Sequence, residues 1–164
     1  MTPRFNDLLG VLDRAGVEFI LVGGLAATLH GSSRTTYDVD IVYSRTRDNM
    51  HRLSEALAVH APYLRGAPAG LPFILDPATI ERGLNFTLTT RLGDLDILGE
   101  IAGGGTYESL LDSTLLVELF GRPCRVLTLE GLIRSKRAAG RPKDFEAIAE
   151  LQALAEARDD FPAA

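Results

Sequence analysis

Residues 17–43 read VEFILVGGLAATLHGSSRTTYDVDIVY, and the order of patterns inside them sets the expected fold. Val17–Val22 is a run of branched and aromatic residues of the kind buried strands use, and it ends on Gly23-Gly24, a turn signal. LAATLH, closed by Gly31, reads as a short helix, and the polar link SSRTTY leads into DVDIVY, where carboxylates alternate with apolar residues. Alternation at period two is the mark of a strand. Strand, glycine turn, short helix and returning strand predict one αβ unit with its two strands side by side.

The flanks extend this unit into a domain. Residues 3–15 place Phe5, Leu8, Leu9, Leu12 and Ala15 at helical spacing before the stop at Gly16. Arg47–Val59 carries Met50, Leu53, Leu57 and Ala58 on one helical face. Residues 60–84 hold four of the eight prolines and three glycines without a period, which predicts loop. Asn85–Thr90 and Asp94–Ile101 predict a hairpin around Arg91-Leu92-Gly93, and the glycines at 103–105 predict a flexible stretch. Leu115–Phe120 and Cys124–Leu127 predict two strands around a Gly121-Arg122-Pro123 turn. Helices are expected at Leu129–Ala138 and from Pro142 through DFEAIAELQALAEA, whose early acids suit a helix start. The expected fold is α+β: a single domain over 1–164, with a mixed sheet of about five strands flanked by helices and a C-terminal helical segment at 129–157.

Composition bounds the function classes. A hydrophobic share of 46% with 24% charged residues is that of a globular protein, and excludes disorder. Phe19–Leu29, the longest nearly apolar stretch, is far short of the ~20 residues a membrane helix needs. MTPRFNDLLG lacks the apolar core of a signal peptide, so a cytoplasmic location is expected. Cys124 stands alone, which excludes an intramolecular disulfide and a Cys-rich zinc site and leaves a buried small hydrophobe. A net charge of −5 argues against indiscriminate nucleic-acid binding. Residues 122–143 nevertheless carry seven basic side chains and one acidic, a strip suited to phosphates or to a solvated helix face.

Asp38 and Asp40 lie two apart on a strand, so both carboxylates leave the same face and repel each other. A cation is expected between them, and magnesium suits such a site because it takes one or two carboxylates and fills its shell with water and phosphate oxygens. Gly23-Gly24 lets the backbone approach a ligand closely at a helix start. Asp94 and Asp96 alternate in GDLDILG; Asp96, deeper in apolar sequence, is the better third acid, able to act as general base for an attacking hydroxyl.

The run GGLAATLHGSSRTTYDVDIV, with Gly23-Gly24, His30-Gly31, Arg34, Thr36 and Asp38-x-Asp40, followed by Asp96 in LDIL and by SKRAAGRPKDFEAIAEL, resembles the minimal nucleotidyltransferases of the DNA polymerase beta superfamily, which include toxin-type members akin to AbiEii. The resemblance covers roughly residues 17–45, 90–100 and 130–151. It implies transfer of a nucleoside monophosphate from an NTP such as ATP to an acceptor hydroxyl, with release of pyrophosphate. It also implies two magnesium ions on Asp38, Asp40 and Asp96, β- and γ-phosphates seated at Gly23 and Gly24, and nucleotide contacts from Arg34, Thr36, Lys136, Arg137 and Lys143, with Arg141 a further candidate. Many such proteins carry Ser where this chain has Gly24. His30 follows an apolar helix face and reads as a packed capping residue. The basic strip favours an RNA acceptor such as tRNA, with protein as the other expected acceptor, and a toxin role beside an antitoxin follows from the resemblance alone. The rival reading is a noncatalytic nucleotide-binding partner module of the same fold. A magnesium-dependent phosphohydrolase is a weaker third, because His30, His51 and His60 lack metal-pair spacing.

Overall fold

In the computed structural model, which describes residues 4–160, the chain begins with helix α1 (Phe5–Arg14). Residue 3, where the sequence pattern starts this helix, lies outside the described residues. Leu8, Leu9 and Leu12 are buried, and Gly16 ends the helix in the left-handed region with φ +72°, so that Val17 N–H can reach back to Leu12 O at 3.1 Å. Then come β1 (Phe19–Val22), α2 (Gly23–Leu29), β2 (Asp38–Tyr43) and α3 (Arg47–Ala58), the strand–helix–strand–helix order expected from the pattern. Fully buried Asn49 ties them together. Its side-chain NH2 donates to Glu18 O at 3.0 Å and Ser44 O at 2.7 Å, while its oxygen accepts from Glu18 N–H at 2.7 Å.

Residues 60–84 are more ordered than expected. They contain β3 (Tyr63–Leu64), which exists through its pairing with a later strand, and α4 (Pro77–Arg82), capped by Asp76 with proline in its first turn. β4 (Asn85–Thr90) and β5 (Gly93–Leu98) form the expected hairpin. Gly99 breaks the run there, donating to Leu84 O and Asn85 Oδ1, and β6 (Glu100–Ile101) pairs instead with β7 (Gly105–Thr106) in a separate two-stranded ribbon. Gly103 and Gly104 are thus the turn of that ribbon, with φ +94° and +79°, where a flexible stretch was expected. α5 (Tyr107–Leu110) and a short 3-10 turn lead to β8 (Thr114–Leu119) and β9 (Arg122–Leu127). Their turn is Phe120-Gly121, both at positive φ, and not Gly121-Arg122-Pro123; two positive-φ positions match the twist of a tight hairpin. α6 (Leu129–Ala139), a 3-10 turn at Pro142–Asp144 and α7 (Phe145–Asp160) close the chain.

The main sheet has seven strands, not five, in the order β3-β4-β5-β2-β1-β9-β8, and it is mixed. β2 runs antiparallel to β1 and parallel to β5, and β9 runs parallel to β1. This brings the C-terminal ends of β1 and β9 and the N-terminal ends of β2 and β5 to one end of the sheet. α1 packs on α3 and β2, while α2 packs on β1, β2 and α6, and α6 on α7. Cys124 is buried, and burial pushes its thiol up to about 11. Among the described residues no helix is long and apolar enough to cross a membrane.

Candidate active site

The parallel pairing of β2 with β5 places Asp38 beside Asp94 and Asp40 beside Asp96. Side chains alternate across a strand, so all four carboxyls share a face while Val39, Ile41, Leu95 and Ile97 are buried on the other. Asp38, Asp40 and Asp96 each offer an oxygen within 4.8 Å of the others. Asp94 stands outside this triad. Three hard carboxylate donors at such separations fit a divalent cation with an oxygen shell.

Burial and like charge crowd the carboxyls of this cluster. Burial, then the Asp38 charge and a hydrogen bond shared with Asp96, push the Asp40 carboxyl up to about 8, against a smaller pull from the Gly24 backbone N–H. Asp38 is raised as well, first by burial and then by Asp96, with Arg65 opposing. Arg65, directly after β3, is the cation that the sequence reading did not find. Its Nη2 lies 2.7 Å from Asp96 Oδ1 and donates to Leu88 O at 2.7 Å. Nη1 lies 3.5 Å from Asp38 Oδ2, and Nε lies 3.3 Å from Asp94 Oδ2. No spacing rule could have signalled Arg65, because it comes from the proline-rich segment and reaches the triad only by crossing β4.

Gly23 has φ +69°, and a Cβ there would collide with the Asp40 carboxyl. At Gly24 a Cβ would sit 2.7 Å from Thr36 Oγ1. The two glycines therefore admit Asp40 and Thr36 to the backbone, a tighter reason for glycine than approach by a ligand alone. The Thr36 hydroxyl, donating to Asp38 O at 3.3 Å, fills the space beside Gly24 that a larger residue would need.

Two clefts meet here. One, of about 610 Å3, is lined by Gly24, Arg34, Thr36, Tyr37, Asp38, Lys136 and Lys143 among others. The other, of about 520 Å3, has Gly23, Gly24, Asp38, Asp40, Asp96, Lys136 and Arg141 in its wall. Gly24, Asp38 and Lys136 belong to both. Lys136 does not stand free: its Nζ lies 3.6 Å from buried Asp144, to which Arg141 Nε donates at 2.7 Å. Burial works to raise the Asp144 carboxyl, but the hydrogen bond from Arg141 and the charge of Lys136 outweigh it and hold the group below the usual range. Arg34 pairs with exposed Glu146 at 3.4 Å. Arg137 is exposed and lines neither cleft.

The basic strip is also divided. Arg122 pairs with Asp13, Arg125 donates to Thr114 and Arg134 to Ser113, leaving Lys136, Arg141 and Lys143 at the clefts. His30 is the packed residue expected: Nε2 lies 2.9 Å from Leu127 O and Nδ1 lies 2.7 Å from Arg158.

Mixed seven-stranded sheet, glycine turn after β1 and in-register acids on β2 and β5 define a protein of the nucleotidyltransferase fold, and solved structures agree. TM1012 from Thermotoga maritima, a proposed nucleotidyltransferase, superposes with a TM-score of 0.58 at 17% identity, covering 91% of this chain and 92% of that one. The antibiotic-resistance factor ANT(2'')-Ia matches in solution with a TM-score of 0.58 at 16% identity, over 94% of this chain and 82% of that one. Its crystal structure in complex with adenylyl-2''-tobramycin matches with a TM-score of 0.55 at 17% identity, over 97% of each chain. No protein-family model and no curated protein matches the sequence.

Proposed function

We propose that this protein is a magnesium-dependent nucleotidyltransferase that moves a nucleoside monophosphate from an NTP to an acceptor hydroxyl. The observation that carries the reading is the convergence of Asp38, Asp40 and Asp96, within 4.8 Å of one another, at the junction of two clefts. A two-substrate displacement needs two approaches to one charged centre.

Asp38, Asp40 and Asp96 would hold the divalent ions. When bound, these ions supply positive charge to the triphosphate and to the attacking and leaving oxygens of an in-line displacement. Asp96 takes the proton of the acceptor hydroxyl as its oxygen bonds to the α-phosphorus and pyrophosphate leaves. Lys136, steered by Asp144 into both clefts, compensates phosphate charge, with Arg141 and Lys143 beside it. The backbone at Gly23 and Gly24 with the Thr36 hydroxyl forms a polar floor for phosphate oxygens. Arg34 offers a further phosphate contact once released from Glu146. The three cations at the clefts favour a phosphate-bearing acceptor such as RNA, protein is the other acceptor proposed, and the adenylylated aminoglycoside on ANT(2'')-Ia adds small hydroxylated amines as a third.

The test is incubation with each α-labelled NTP, magnesium and a cell extract, followed by separation of RNA, protein and small molecules. Label in one fraction that disappears with Asp38→Ala establishes transfer and the acceptor class together. One observation favours a second reading: Arg65 already neutralises Asp38 and Asp96, as a noncatalytic nucleotide-binding module would allow. Nucleotide binding with neither label transfer nor pyrophosphate release would select it. Growth arrest on expression, dependent on Asp38, would support a toxin role.

A further inference from the structure

We infer that Arg65 is a built-in counter-cation that occupies the carboxylate triad while no divalent ion is bound and withdraws from Asp38 and Asp96 to admit one, so that metal entry depends on the arrival of the triphosphate. The inference rests on the metal reading of the triad.

The contacts of Arg65 are those of a displaceable group. A guanidinium locked permanently onto carboxylates makes paired, parallel hydrogen bonds. Here Nη2 alone is well bonded, to Asp96 Oδ1 and Leu88 O, both at 2.7 Å. The contact with Asp38 is 3.5 Å long, and Nε is a buried donor without a hydrogen-bond partner although Asp94 lies 3.3 Å away. Charge, more than fit, keeps the group in place. The oxygens it touches on Asp38 and Asp96 belong to the same two residues that would ligate a metal, so guanidinium and ion compete for them. Leu88 O and Asp94 lie outside the triad and remain available to the guanidinium after it retracts. Its side chain reaches from the end of the edge strand β3 past β4 to the acids, and its several rotatable bonds supply the freedom a withdrawal would use.

A bare divalent ion has to displace a tethered cation. An ion arriving on a triphosphate brings phosphate oxygens that give the guanidinium a new partner, since Arg pairs readily with phosphate. Metal and nucleotide are therefore positively coupled, each raising the other's affinity by one and the same factor.

The experiment measures free Mn2+ by electron paramagnetic resonance during titration of the full chain, with and without a nonhydrolysable NTP analogue, in the parent protein, Arg65→Gln and Arg65→Lys. Expected are at least tenfold tighter binding of Mn2+ alone in Arg65→Gln, an intermediate value in Arg65→Lys, and a smaller gain from nucleotide in both. Equal or weaker Mn2+ binding by folded Arg65→Gln overturns the inference and leaves the metal reading intact. Absence of Mn2+ binding by every protein, even with nucleotide, overturns both. Should Arg65→Gln fail to fold, the assigned Arg65 Nε–H resonance of the parent protein decides: a shift on adding Mg2+ with nucleotide supports withdrawal, and an unchanged signal overturns it.

Discussion

Asp40 is the carboxyl that folding perturbs most clearly, and its energetics have a definite sign. Its ordinary pKa is 3.8 and in the fold it is pushed up to about 8, first by burial. Between those values the folded chain binds a proton that the unfolded chain has lost, so this group's contribution to stability declines as pH rises from about 4 to about 8. Thermal melts in chelator should show a melting temperature falling across that window, and Asp40→Asn should flatten the fall while abolishing transfer. A steeper fall in the variant would count against the assignment. A second expectation concerns Gly24. Gly24→Ser alone should cost about 1–3 kcal/mol in denaturant unfolding, because its Cβ meets Thr36 at 2.7 Å. Gly24→Ser with Thr36→Gly, which removes both the Oγ1 at 2.7 Å and the Cβ at 2.9 Å, should cost less than the two single changes added together, a coupling that a double-mutant cycle measures directly.

The α6–turn–α7 segment shows how an element converts a charge strip into a site. Three residues on consecutive short pieces, Lys136, Arg141 and Asp144, form one ion cluster around a buried carboxylate. Asp144→Asn should cost about 1–3 kcal/mol, since it weakens hydrogen bonds to charged groups at a buried position. It should also raise the KM for NTP by freeing Lys136 to point elsewhere. Lys136→Ala with Lys143→Ala should raise that KM and flatten its salt dependence, whereas Arg137→Ala, which lines neither cleft, should leave both unchanged. Steady-state kinetics at several ionic strengths decide between these outcomes. Arg45 offers a structural contrast: it donates to Ile80 O and Glu81 O within α4 and to the Tyr43 hydroxyl, so its charge joins two elements instead of serving a cleft.

Across the whole molecule, metal, proton and stability are linked. A divalent ion at the triad competes with the proton on Asp40, so magnesium with a nonhydrolysable NTP should raise the melting temperature more at pH 8 than at pH 6. Equal shifts at both pH values would show that the ion does not engage Asp40. Much of this architecture was legible in order along the chain. The period-two acids of DVDIVY and GDLDILG marked two strands with wet acidic faces, and Gly23-Gly24 marked the point where β1 passes into α2, because side-chain alternation and glycine's freedom at positive φ, which Gly23 uses, are local properties. Cys124 was likewise readable as a packed residue because it stands alone, and His30 because it follows an apolar helix face. Arg65, Asn49 and Asp144 were not, since each acts on partners far away in sequence that periodicity does not connect. β3 was hidden for the same reason, as two residues become a strand only when β4 offers its edge. Local chemistry wrote the strands, the turn and the candidate acids; the β2–β5 register, which set Asp40 beside Asp96 and left room for Arg65 between the acids, was decided by tertiary packing, because repulsion and charge compensation depend on distance in space and not on position in the chain.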